Sequence, residues 1–138
     1  MRDRHLNDLI RSRSPIAMAP DTPVADACRT MGERRVGCVL VTDQGKLVGI
    51  FTGRDAVRLL GEGRNPAGLS LADVMTRKLT TLGPKSGALD ALRCMQDGGF
   101  RHVPIVDGGI LVGIVSRGDF RAIEHARLDE ETGYWERI

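Results

Sequence analysis

An α/β (α+β) fold, two copies of one strand–helix–strand–strand–helix unit packed about a pseudo-twofold axis, is predicted by three features of the chain. Sliding the sequence by 64 positions aligns residues 16–61 with 80–125 without a gap, and 13 of the 46 pairs are identical, where composition alone gives roughly 3. Each copy carries a helical apolar period followed by two short apolar runs joined by a turn. A glycine-rich stretch, GEGRNPAG at 61–68, separates the copies.

The elements follow in order. Residues 1–13 read as a short basic amphipathic helix with Leu6, Leu9 and Ile10 on one face. Asp21-Thr22-Pro23 supplies a cap and a proline for a helix start. Val24, Ala27, Cys28 and Met31 continue at helical spacing. The run 36–42 is β-rich, and its unbroken apolarity implies burial on both faces. Asp43-Gln44-Gly45 turns the chain, 47–51 returns as a second strand, and Ala56, Val57, Leu59 and Leu60 suggest a short helix. The second copy repeats this as a helix at 86–95, a strand at 103–106, a turn at Asp107-Gly108-Gly109, a strand at 111–115 and a helix through Ile123. A unit of this size cannot cover its own sheet, so two units are expected to bury their sheets against each other in one merged core.

Composition narrows the function. With 41% hydrophobic and 28% charged residues over 138 positions, the chain is that of an ordinary globular protein. The net charge of +2 and only five aromatic residues (three Phe, one Tyr, one Trp) argue against a nucleic-acid face. The apolar runs are too short to cross a bilayer. MRDRHLNDLIRSRSP has no apolar core of a secretory signal, so a cytoplasmic location is expected, without membrane attachment. Cys28, Cys38 and Cys94 show no metal spacing and lie among apolar neighbours, as small core residues of a reducing compartment do. No Ser/His/Asp order, metal cluster or close carboxylate pair marks an enzyme, and Gly61-Glu62-Gly63 follows no strand, too weak for a dinucleotide fingerprint.

One phrase is written twice. GIFTGRD at 49–55 returns as GIVSRGD at 113–119, so Thr52 and Asp55, then Ser116 and Asp119, leave a buried strand at a helix start. Two readings are open there. Hydroxyl and carboxylate at this spacing form a capping box, as does Ser70 with Asp73. Alternatively, the positive helix end and the hydroxyl take a phosphate, and the carboxylate takes the two hydroxyls of a ribose.

VGCVLVTDQGKLVGIFTGRD and FRHVPIVDGGILVGIVSRGD together resemble a pair of CBS domains, also called a Bateman module. The resemblance covers roughly residues 8–125 and implies domains at 8–66 and 74–133. It implies a flat regulatory, signal-transducing module, not an enzyme. AMP, ADP, ATP or another adenosyl ligand would bind in two clefts between the repeats, with no other cofactor and no metal. It places the phosphate-facing hydroxyls on Thr52 and Ser116 and the ribose-binding carboxylates on Asp55 and Asp119. Asp119 would face Ser12, Ala17 and the strand start at Val36 and Gly37. Asp55 would face Thr76 and Thr81, with Phe100, Arg101 and His102.

The clefts are expected to differ. Arg54 stands where the second copy has Gly118, and Arg101-His102 where the first has Gly37-Cys38, so the Asp55 cleft is expected to hold phosphate more strongly. Arg34, Arg35 and Arg54 are open to either a solvated or a ligand-facing reading. A structural or protein-interaction module with empty clefts is the alternative. Disc-like homodimers are common in the family, and a second copy and a regulated protein are the partners implied. Tyr134 and Trp135 among charges near the C-terminus suit docking on the module or on that second copy.

Overall fold

The computed structural model describes residues 15–99 and 101–120. The elements are β1 (Ala17–Met18), α1 (Val24–Arg34), β2 (Cys38–Asp43), β3 (Lys46–Thr52), α2 (Gly53–Gly61), a short 3-10 turn (Pro66–Gly68), α3 (Leu71–Val74), α4 (Ala88–Gly98), β4 (His102–Asp107) and β5 (Ile110–Ser116). A further helix opens at 117–120. The expected helix at 1–13, the stretch through Ile123, and Tyr134 and Trp135 lie outside the described residues.

The duplication holds residue by residue. In the first hairpin Cys38 pairs with Thr52, Val39 with Phe51 and Leu40 with Ile50. In the second, the counterparts 64 positions on pair identically, His102 with Ser116, Val103 with Val115 and Pro104 with Ile114. Even the register shift recurs, between Val41 and Thr42 and again between Ile105 and Val106. Both turns use two consecutive residues of positive φ, Gln44 and Gly45 (51° and 82°) and Gly108 and Gly109 (58° and 86°). Such pairs match the strands' own twist and close two-residue hairpins.

The hairpins meet edge to edge through Lys46 and Ile110 to give one sheet, in the order β1-β2-β3-β5-β4. Alternation along each strand divides its side chains between two faces. Val39, Val41 and Phe51 join Val24, Ala27, Met31 and Leu59 on the helix side of the first unit. Val103, Ile105 and Val115 join Ala88, Ala91 and Met95 in the second. On the opposite face Cys38, Leu40 and Ile50 pack with Leu79, Leu111 and Ile114 of the second unit. The two hairpins share a buried face as expected, but they also join in one sheet, and the core is three clusters and not one, because each hairpin is a layer between its helices and the other repeat.

Two local readings change. Pro23 is itself the residue before α1, with no side-chain cap, and the Val24 N–H donates to the Leu69 carbonyl at 2.8 Å. The stretch after the linker therefore replaces the expected cap. That stretch belongs to the first core: Leu71, Val74 and Met75 are buried there, and Thr76 exchanges hydrogen bonds of 3.0 and 2.9 Å with Ile50 of β3. Gly49 makes this approach possible, since a Cβ there would lie 2.5 Å from Met75 Sδ.

Candidate functional site

The first repeated phrase forms a closed capping box, and in the second the carboxylate caps the helix start. At the first corner the Thr52 N–H donates to Asp55 Oδ2 (3.0 Å) and the Asp55 N–H donates to Thr52 Oγ1 (3.1 Å). At the second, the Ser116 N–H and hydroxyl both donate to Asp119 Oδ2, at 2.7 and 3.1 Å. The carboxylates thus do cap their helices. In each case the carboxylate accepts through Oδ2, once at the first corner and twice at the second, and at the first corner Oδ1 is instead 3.2 Å from Arg58. Asp55 is only 6% exposed and is the one charged side chain in the buried set of the described residues. A buried carboxylate bonded this way is held in one orientation, with its second oxygen toward Arg58.

The helix start itself has less to offer an anion than its dipole suggests. The Gly53 N–H donates to the Gly37 carbonyl (3.0 Å), and its counterpart Arg117 to the Arg101 carbonyl (2.9 Å). With Thr52, Gly53 and Asp55 N–H groups all committed to the chain, phosphate attraction must come largely from side-chain cations.

A cleft of about 420 Å³ opens at the Asp55 corner. Thr52, Arg54, Asp55, Thr76, Arg101 and His102 line it, as the sequence led one to expect. Ile50, Leu79 and Pro104 form its apolar wall, and Lys78 and Thr80 complete it. A second cleft of about 520 Å³ opens at the Asp119 corner, bordered by Ser116, Asp119, Val36 and Gly37. Ile16, Leu40 and Ile114 give its apolar wall, and Arg34 and Arg35 its charge.

Four expected site residues are not in these linings. Ser12 and Phe100 lie outside the described residues. Ala17 and Thr81 are displaced by their neighbours Ile16 and Thr80, the same one-position error in both repeats. Successive residues of an extended chain face opposite sides, so a shift of one turns the wrong residue into the cleft. Lys78 and Leu79 were not anticipated. They sit on the segment that passes from the bridge at Thr76–Ile50 to the bridge at Leu82–Ile105, where no apolar period marks a role.

Charge and burial tune two further groups. Burial lowers the His102 pKa below its ordinary 6.5, Asp119 opposes the shift and Arg101 adds to it. Burial pushes the Cys38 thiol up to about 12, so it lines the second cleft as an inert, neutral group. Among the described residues no group of three or more His, Cys, Asp or Glu gathers to hold a metal.

Comparison with known proteins places this geometry. The CBS domain model matches residues 6–62 and 71–125. An Arabidopsis thaliana CBS domain-containing protein, CBSCBSPB2, is 38% identical over 108 residues, 77% of this chain. The chain spans about a fifth of that relative's length (20%). The mitochondrial CBSX3 of the same plant is 32% identical over 91% of this chain and 67% of its own. Among solved structures, a CBS-domain protein of Agrobacterium tumefaciens, ATU1752, superimposes with a TM-score of 0.80 at 32% identity, covering 88% of this chain and 99% of that one. Two others share the fold at lower identity: protein MJ0100 in complex with 5′-methylthioadenosine and S-adenosylmethionine (TM-score 0.83, 23% identity, 91% and 99% covered). The other is PAE2072 of Pyrobaculum aerophilum, complexed with AMP (TM-score 0.78, 21% identity, 84% and 89% covered).

Proposed function

Because this chain belongs to the CBS domain family, as two repeats in tandem, we propose that it is a regulatory module whose clefts bind an adenine nucleotide or a related adenosyl ligand. CBS domain pairs are generally regulatory modules and not enzymes, and this one is read as acting by binding. The observation that carries the reading is the corner at Asp55: a buried carboxylate held by the Thr52 N–H and by Arg58, beside an apolar wall and a set of cations. Ile50, Leu79 and Pro104 suit a purine, the Asp55 carboxylate suits the ribose diol, and Arg54, Lys78 and Arg101 suit phosphate. The second cleft offers the same order of parts, with Ile16, Leu40 and Ile114, then Asp119, then Arg34 and Arg35. Complexes of PAE2072 with AMP and of MJ0100 with two adenosyl compounds support the ligand class. A second copy of the chain is the partner proposed, and α2 presents Val57 (69% exposed) and Leu60 (68% exposed) to it.

The helix-capping carboxylates favour a second reading, a structural or interaction module with no ligand. Thermal unfolding with AMP, ADP, ATP, adenosine, 5′-methylthioadenosine and S-adenosylmethionine separates the two. A ligand at a hundredfold excess over its Kd stabilises the folded chain by about 2.7 kcal/mol, a rise of several degrees in Tm. An unmoved Tm with all six at millimolar concentration leaves only the second reading.

A further inference from the structure

Gly37 and His102 are the only described residues that border both clefts. A Cβ at Gly37 would lie 3.1 Å from His102 Nε2 and 3.2 Å from its Cε1, so the imidazole edge rests against bare backbone and fills the partition. The duplication does not supply a second ring, because the counterpart of His102 is Cys38, whose thiol stays neutral. One titratable group therefore serves two cavities.

We propose that His102 is a proton-carrying contact shared by the two clefts: an anionic adenosyl ligand in either is bound together with a proton on this ring, which has none to add for the other. The inference rests on the adenosyl-ligand reading above.

The charges facing the ring give the sign. The Asp55 cleft that the ring borders also holds Arg101, Arg54, Lys78 and Asp55, and the Asp119 cleft holds Arg34, Arg35 and Asp119. Burial disfavours the imidazolium more than Asp119 favours it, and Arg101 adds to burial, so the ring is neutral near pH 7 when no anion is present. A phosphate among those cations offsets their field and accepts a hydrogen bond from a protonated ring, so the pKa rises on binding. Binding then draws a proton from solvent between the pKa without ligand and the pKa with it. Once the first ligand has protonated the ring, the second finds the imidazolium already formed and takes up no further proton through it.

Calorimetric titration of AMP into the full chain at pH 7, in buffers of differing ionisation heat, counts the protons. The wild type is expected to take up more than His102→Gln, by at most about one proton per chain, with the difference reached as the first cleft fills. Comparison with the variant removes the ligand phosphate's own titration. The wild-type to variant affinity ratio is expected to grow as pH falls through that window, by at most about tenfold per pH unit. Adenosine, which lacks the anion, should show neither difference. Equal proton counts in wild type and variant overturn the inference while leaving nucleotide binding in place. If AMP, ADP and ATP all bind neither protein, this inference falls, and with S-adenosylmethionine, 5′-methylthioadenosine and adenosine also unbound the adenosyl reading falls with it. Should His102→Gln not fold, the wild-type His102 ring followed by NMR decides: its pKa must rise on adding AMP, and an unmoved value overturns the proposal.

Discussion

Arg35 and Gly99 occupy one position in the two repeats, the left-handed residue that ends the long helix, with φ of 55° and 71°. Glycine adopts this conformation at no steric cost, whereas an arginine there carries a clash of its Cβ with its own backbone. The backbone frame has been copied faithfully, down to register and bulge, while cleft side chains have been exchanged. The Asp55 cleft carries its cations at the helix start and across the strand ends, as Arg54, Lys78 and Arg101. The Asp119 cleft carries its cations at a helix end, as Arg34 and Arg35. Beside the stronger phosphate hold expected at the Asp55 cleft, the two clefts differ in where their charge is placed. Duplication preserved what the chain needs to fold and released most of the charged side chains that line the clefts.

The largest expected effect breaks the comparison at its two carboxylates. Two hydrogen bonds to a charged acceptor contribute about 1.5–3 kcal/mol each, so Asp55→Ala is expected to weaken adenosyl binding in its cleft by at least about 100-fold. Asp119→Ala should do the same to the other cleft only. Each change also removes a helix cap at a cost of about 0.5–2 kcal/mol in stability. Calorimetric binding isotherms beside urea unfolding of the two variants distinguish the effects. Variants that lose stability yet bind as the wild type does would show that both carboxylates serve only their helices.

Next in size is Gly49→Ala, which tests the close approach of the stretch after the linker to β3 in the first repeat. The new methyl would meet Met75 Sδ at 2.5 Å and the Thr76 carbonyl at 3.2 Å. Overpacking of this kind costs about 1–3 kcal/mol, read as a lower urea midpoint with unchanged slope. Adding Met75→Ala should recover part of the loss, since the flexible thioether is the closer obstacle. Strictly additive losses would mean that another contact sets the requirement for glycine.

Much of this was legible in the chain and some was not, for identifiable reasons. Apolar alternation fixed the hairpins, because Val39 and Leu40 face opposite sides and both are buried. The spacing of Thr52 to Asp55 and of Ser116 to Asp119 signalled the corners, because a capping box is a local arrangement of four residues. Ile16 and Thr80 were missed by one position, because a two-residue strand offers no alternation long enough to set its phase. Lys78 and Leu79 reach the Asp55 cleft only through long-range bridges, which leave no local periodicity. Arg34 and Arg35 look like an exposed helix end in sequence, and they are exposed. Only the tertiary fold shows that the same end closes a cleft.

The smallest effect is also the one with opposed signs. Arg35→Gly removes a left-handed non-glycine residue and restores the helix end found in the second repeat, so stability should rise by about 0.5–1 kcal/mol, the relief being partly offset by the freer unfolded chain. The same change takes a cation from the Asp119 cleft. Because Arg35 is exposed, its contact with an anion is partly screened, and the expected loss in AMP affinity there is about three- to tenfold. The loss should shrink in high salt, while the gain in stability should not. The Asp55 cleft provides the internal control, because Arg35 does not line it. A more stable variant with undiminished affinity in the Asp119 cleft would mean that the strained arginine serves neither the fold nor the anion. A less stable one would mean that its aliphatic stem packs against the cleft wall strongly enough to outweigh the strain.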